Sequence, residues 1–134
     1  MLSVVVGALV REERVLLAHR SSRKRAHPGR WDLPGGCVED GESETGALER
    51  ELREELGVRI ATGSSFRLCR LTVRPAGEPV LLSAWLVREW TGLPINAAPD
   101  EHDDIAWFGL ARMPSLPYEF VQVALLGAVQ NNLG

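Results

Sequence analysis

The periodicity of apolar and polar positions changes several times along the chain, and each change predicts an element. Residues 2–10 and 14–19 are nearly continuous apolar and β-branched runs, separated by the charged triplet Arg11-Glu12-Glu13. This pattern predicts a β-hairpin. Residues 21–30 are polar and basic and contain Pro28 and Gly29, which predicts a loop. Trp31 to Pro34 reads as a short strand ending at Gly35-Gly36, with a further loop over 37–43. The period then becomes helical. Leu48, Leu52 and Leu56 recur at i, i+4 and i+8. Ser43 stands at the N-cap, Glu44 in the first turn, and Gly57 where a C′ glycine stops a helix. Segments 58–62, 65–74, 79–88 and 104–108 read as strands, with a long loop over 91–103. A second helix is predicted over 118–130, burying Phe120, Val121, Val123, Ala124, Leu125, Ala128 and Val129. Strands wrapping one helix and closing with another point to the α/β class, a sandwich with a mixed sheet.

Composition narrows this picture. The 134 residues are 45% hydrophobic and 25% charged, enough for one domain (residues 1–134) with a core that needs no disulfide. The net charge of −3 excludes a global basic field for a nucleic-acid polymer. No apolar run reaches the ~18 residues of a membrane span. The N-terminus lacks the basic region and cleavage site of a signal peptide, and the two cysteines, Cys37 and Cys69, form no disulfide framework. A cytoplasmic protein with reduced thiols is the expectation. The charges are also segregated. Residues 19–30 carry five cationic side chains and no acid, whereas 39–55 carry eight acids against two arginines.

The acidic segment holds the candidate chemistry. Glu51, Glu54 and Glu55 fall at i, i+3 and i+4, on one face of the predicted helix beside the leucine stripe. Three carboxylates there repel one another, by a few tenths of a kcal/mol per pair (~0.2–0.5) on an exposed helix. A divalent cation removes that repulsion, and hard oxygen ligands without a nearby His or Cys favour Mg²⁺ or Mn²⁺ over Zn²⁺. Gly35 and Gly36 let the backbone approach a ligand, so that a carbonyl can join the shell. Arg50 and Arg53 can pair with Glu54 and Glu49. On the three glutamates alone, a solvated acidic face would be the simpler reading.

Gly36, Glu42, Arg50, Glu51, Leu52, Glu54, Glu55, Gly57 and Val58 match, at every fixed position, the signature of the Nudix hydrolases, which the chain therefore resembles over residues 36–58. The order of the flanking strands extends the likeness along the chain. The resemblance implies a Nudix-type α/β/α sandwich, with a mixed sheet between the catalytic helix and a C-terminal helix. It implies Mg²⁺- or Mn²⁺-dependent hydrolysis of a nucleoside diphosphate linked to another group. Carried over by position, Glu51 and Glu55 are the principal metal ligands, Glu54 is a further ligand or orients the water, and the Gly35 carbonyl completes the shell. Arg50 holds the glutamates, Glu42 stabilises the loop–helix junction, and Glu39 takes part through water. A further carboxylate ahead of the last strand would be Glu101, with Asp100 and Asp103 as rivals.

The short chain looks most like MutT-type members, which cleave nucleoside triphosphates to a monophosphate and pyrophosphate. Where that type carries a base-reading Asn near the last helix, this chain has Tyr118. Arg20, Arg23 and Arg25 are candidates for gripping phosphates, and Trp31 for flanking a base. His19, His27 and His102 lack ligand-like spacing and receive no role, and Cys37 is read as incidental. The alternatives are a nucleotide-sugar or dinucleotide pyrophosphatase on the same scaffold and a catalytically silent nucleotide-binding module. An acidic Ca²⁺-binding domain lacks the alternating loop ligands it would need. The expected partner is a small nucleotide; the oligomeric state is open.

Overall fold

A computed structural model describes residues 1–61 and 63–131. In chain order the strands are β1 (Leu2–Arg11), β2 (Arg14–Arg20), β3 (Trp31–Asp32) and β4 (Gly35–Cys37). Helix α1 (Glu44–Leu56) follows, then β5 (Arg59–Ile60), β6 (Phe66–Val73), β7 (Val80–Val87), β8 (Trp90–Thr91) and β9 (His102–Gly109). A short 3₁₀ turn (Leu110–Arg112) and α2 (Glu119–Gln130) close the described chain.

The hairpin forms as expected, its tip made by Glu12 and Glu13, both at positive φ. β1 runs parallel to β7 over Leu2–Leu9 and antiparallel to β4, while β2 pairs antiparallel with β3 and β9. β6 pairs antiparallel with β7, so the sheet is mixed.

Successive side chains of a strand face opposite sides of a sheet. Val5, Leu9 and Leu16 therefore pack with Ala47, Leu48, Leu52 and Leu56 of α1. Ala8, Val10, Val15 and Leu17 pack on the other face with Leu116, Val121, Leu125 and Ala128. A layer of helix covers each face, which is why β1 and β2 read as continuous apolar runs. The result is the expected sandwich.

Helix α1 begins and ends as its sequence dictates. Ser43 accepts a hydrogen bond from the Gly46 N–H at 3.0 Å, and the Gly57 N–H, in the left-handed conformation, donates to the Arg53 carbonyl. Its first turn is also fastened to the sheet. The Glu44 carboxylate accepts from Arg70, from Ser83 Oγ at 3.0 Å and from Trp85 Nε1 at 3.1 Å.

Four expectations change. Gly35 and Gly36 do not merely end a strand; they form β4, laid against β1. The predicted strand 58–62 shrinks to β5, with position 62 outside the described residues. It pairs with β8, which lies at the edge of the predicted 91–103 loop. The last strand starts two residues earlier than expected, at His102. On α2, Phe120 and Val123 are exposed rather than buried, because the helix turns the stripe of Val121, Leu125 and Ala128 into the core, with Val129 packed at its edge.

Candidate active site

The C-terminal half of α1 lies over β4, so its carboxylates meet the glycine strand. The Glu51 carboxylate occupies the space where a side chain on Gly36 would stand, 2.5 Å from the ideal Cβ position. A Cβ on Gly35 would collide with the Val5 and Val6 backbone. Glycine is thus required at 35 for strand pairing and at 36 to admit a carboxylate.

Arg50 gathers this region. Its Nε and Nη2 donate to the two Glu42 oxygens at 2.7 and 3.0 Å, Nη1 to Glu51 Oε1 at 2.9 Å, and Nη2 to the Cys37 carbonyl at 2.9 Å. The contact with Glu54, the pairing expected from sequence, is the longest of these hydrogen bonds at 3.4 Å. Glu39 lies at 3.5 Å. The anticipated Arg53–Glu49 ion pair does not form among the described residues. The Arg50 guanidinium, with the Glu39 N–H, holds Glu42 at a pKa of about 2. Ties to Glu42 ahead of the helix and to Glu51 within it make Arg50 a brace across the loop–helix junction.

Glu55 is different in kind: it is buried, at 4% exposure. Its Oε1 lies 3.0 Å from His102 Nε2, and its Oε2 has no hydrogen-bond partner. Burial, and then the neighbouring Glu51 carboxyl, push Glu55 well above the ordinary carboxylate range. His102 is buried too, and burial holds its imidazole below the ordinary value. The sequence assigned this histidine nothing. Its signal is tertiary, because 47 positions separate it from Glu55.

Beside these carboxylates lies a cavity of about 400 Å³. Glu51, Glu54, Gly35 and Gly36 line one part of it, and Val4, Val6, Leu33, Leu82, Leu116 and Tyr118 another. The candidates proposed from sequence divide around it. Arg20, Glu101 and Tyr118 line it. Glu101 is paired with Lys24 at 2.9 Å, and Arg20 Nε donates to the Ala26 carbonyl. Tyr118 Oη lies 2.9 Å from His27 Nε2. Arg23 and Arg25 are exposed and outside the lining, where Lys24 stands instead. Trp31 also lies outside it, packed edge-on against His19 and Phe108 with both centroids 4.9 Å away. Asp103, one of the rivals to Glu101, is bonded to His19 at 2.6 Å.

Asp32 and His27 line the cavity although sequence reasoning passed them over. Asp32 accepts from the Leu33 N–H at 2.7 Å, and burial lifts its pKa to about 6. A polar residue in a short strand beside Trp31 gave no sign of facing a pocket.

Among the described residues, no three His, Cys, Asp or Glu side chains converge into a closed metal cage. The donor set nonetheless suits a hard cation. A buried carboxylate oxygen without a partner, Glu55 Oε2, belongs to a residue one helical turn from Glu51 that lines a small cavity of about 30 Å³ with Gly35 and Glu101. Mg²⁺ is commonly held by one or two carboxylates, with water and substrate phosphates supplying the rest.

Comparison with known proteins agrees with this fold. A family model described as the NUDIX domain matches residues 1–125. The chain is 32% identical over 128 residues to a CTP pyrophosphohydrolase of Escherichia coli (strain K12), covering 96% of this chain and 90% of that one. It is 30% identical over 93 residues to the 8-oxo-dGTP diphosphatase of the same organism, covering 69% and 70%. Among solved structures it superposes on a MutT NUDIX hydrolase from Burkholderia pseudomallei with a TM-score of 0.81 and 31% identity, covering 93% and 95%.

Proposed function

Starting from the chain's membership of the MutT-like NUDIX hydrolases, which act on phosphoanhydride bonds, we propose that it cleaves a nucleoside triphosphate to a monophosphate and pyrophosphate with the help of a divalent metal ion. One observation carries this reading. A single cavity is lined both by the Glu51 and Glu54 carboxylates and by apolar side chains with Tyr118 and Asp32, which suits a ligand that carries a polyphosphate and a base.

In this reading Glu51 and Glu55 would hold the ion, Mg²⁺ with Mn²⁺ as an alternative, with Glu54 and the Gly35 carbonyl completing the protein's share; bound there, it would supply positive charge against the phosphates and a more acidic attacking water. Arg50 keeps Glu51 in place through its ties to Glu42 and the Cys37 carbonyl. Arg20 and Lys24 stand on the cavity wall to receive phosphate oxygens, with Lys24 exchanging Glu101 for the substrate. Glu54 would orient the attacking water, and Glu101 would accept its proton as the water oxygen bonds to phosphorus and pyrophosphate departs.

On the cavity wall, Tyr118 offers an aromatic face, and Asp32 offers a carboxyl that binding can find in either protonation state near neutral pH. A carboxylate accepts from an exocyclic amine such as cytosine N4. A carboxylic acid donates to a base carbonyl. Asp32, more than Tyr118, is thus the group expected to choose the base.

The test is a screen in which nucleotide products are resolved by ion-exchange chromatography, over canonical and oxidised nucleoside triphosphates, nucleotide sugars and dinucleoside polyphosphates, with Mg²⁺ or Mn²⁺. Turnover of triphosphates, lost by several orders of magnitude in Glu54→Gln and Glu55→Gln, is expected. Turnover unaffected by those substitutions sinks the site assignment. A strong preference for nucleotide sugars sinks the substrate reading.

A further inference from the structure

The loop between β8 and β9 is stitched to the end of α1. The Ile95 N–H donates to the Leu56 carbonyl at 3.0 Å, and the Ala97 N–H to the Glu55 carbonyl at 2.9 Å. These bonds satisfy carbonyls that a helix C-terminus leaves open. They also fix the backbone on both sides of Asn96, directly beside Glu55.

The Asn96 amide is oriented by its own partners. Its Nδ2 donates to the His102 carbonyl at 2.8 Å, and its Oδ1 accepts from the Ala98 N–H at 3.3 Å. Oδ1 therefore faces His102 Nδ1, 2.9 Å away. A carbonyl oxygen cannot donate, so Nδ1 carries the proton. The other ring nitrogen, Nε2, meets Glu55 Oε1 at 3.0 Å and shares one proton with it. The imidazole is held at both ends, and it holds one oxygen of the carboxylate while Oε2 has no partner. Glu55 and His102 also line a small cavity of about 30 Å³ with Gly35, Lys24 and Glu101, next to the large one. That volume admits a single water or ion.

We propose that Asn96 and His102 form a positioning relay for Glu55, locking its side chain so that Oε2 is presented to the divalent ion. The inference rests on the metal-dependent reading above and adds to it the source of the Glu55 geometry. Neither Asn96 nor His102 touches substrate in this arrangement. They act through Glu55, as hydrogen-bond partners of ligating carboxylates commonly do. A purely packing role accounts poorly for the arrangement, since three polar side chains are satisfied in series and the one unsatisfied atom is the oxygen left for the ion.

Mn²⁺ binding to the full chain, followed by electron paramagnetic resonance, tests the relay without relying on turnover. His102→Leu keeps bulk but offers Oε1 no hydrogen bond. It is expected to weaken Mn²⁺ by ~10–100-fold, while His102→Gln, whose amide can either donate to or accept from Oε1, stays within a few-fold of wild type. Asn96→Ala, which leaves the imidazole in place, is expected to weaken Mn²⁺ several-fold and to shift the His102 ring ¹⁵N resonances. Circular dichroism and melting temperatures accompany each variant. If His102→Leu does not fold, Asn96→Ala and His102→Gln carry the comparison. Wild-type Mn²⁺ affinity in His102→Leu or in Asn96→Ala overturns the relay. Equal losses in His102→Leu and His102→Gln with matching drops in melting temperature also overturn it, marking a structural pair. A wild-type protein that hydrolyses triphosphates and binds Mn²⁺ while the variants are indifferent removes this inference alone. One that does neither removes the functional reading with it.

Discussion

The carboxyl carbon of Glu51 stands 2.5 Å from the point that a Cβ on Gly36 would occupy. The obstacle is the far end of a flexible side chain, which can swing away at little cost. Gly36→Ala is therefore expected to fold with a melting temperature close to wild type and to lose activity ~100-fold or more, because the alanine displaces the carboxylate. Gly35→Ala meets backbone atoms of β1 and needs positive φ, so it is expected to cost about 3 kcal/mol of stability. Denaturant melts and steady-state rates on the two variants check the contrast. Similar behaviour of the two would contradict it.

The Arg50–Glu42 brace predicts an acid limb in stability. Glu42 is held at a pKa of about 2, below its unfolded value. A depressed carboxylate contributes stability that is present above the unfolded pKa and is lost as pH falls through the folded one. Glu42→Gln should therefore differ most from wild type at neutral pH. The difference should shrink between about pH 4.5 and 2. Urea midpoints for both proteins across that range give the answer. A gap that stayed constant would assign the loss to packing.

Asp32 predicts a dependence of the opposite sign. Its folded pKa is raised to about 6, so the fold favours the neutral acid. That contribution is fully present below the unfolded carboxylate value, near pH 4, and is lost as pH rises through about 6. Asp32→Asn, uncharged at every pH, should flatten the decline between pH 4 and 7. Because the residue lines the proposed base recess, the same variant should also change the ranking of nucleotides by kcat/KM, by ~10–100-fold between the best two bases. Unchanged ranking would leave Asp32 a structural acid.

What the sequence revealed follows from the range over which each interaction acts. Helix α1 was legible to its ends because Ser43, Gly57 and Leu48/Leu52/Leu56 act within a few residues of one another. The Glu51–Glu54–Glu55 face was legible for the same reason. β4 was not, because Gly35-Gly36-Cys37 has no strand propensity and forms only by pairing with β1. The exposed Phe120 and Val123 misled because an apolar helix reads as buried all round, whereas a single sheet face covers one stripe of it. His102, Asn96, Lys24 and Asp32 stayed hidden because each acquires its place from strand pairing or loop closure, which spacing along the chain does not encode.

Glu44 separates what holds the catalytic helix from what the helix does. It lies in the first turn of α1, far along the helix from Glu51 and Glu55, and its carboxylate satisfies Arg70, Ser83 and Trp85 together. Ser83 is 1% exposed, so truncating Glu44 leaves a buried hydroxyl without its acceptor. A lost charge-assisted bond to a buried partner costs roughly 1.5–3 kcal/mol. Glu44→Ala is therefore expected to lower stability by about 2 kcal/mol, with Glu44→Gln recovering part of it because the amide oxygen still accepts. The caps at Ser43 and Gly57 and the leucine stripe remain, so the Glu51–Glu55 turn should keep its geometry. Well below its melting temperature, Glu44→Ala should retain kcat/KM within ~3-fold of wild type, even though Gly36→Ala, which folds well, does not. Thermal melts paired with rates at a low common temperature distinguish the two. A large loss of kcat/KM in Glu44→Ala at full folding would mean that the anchor at one end of the helix sets the carboxylates at the other.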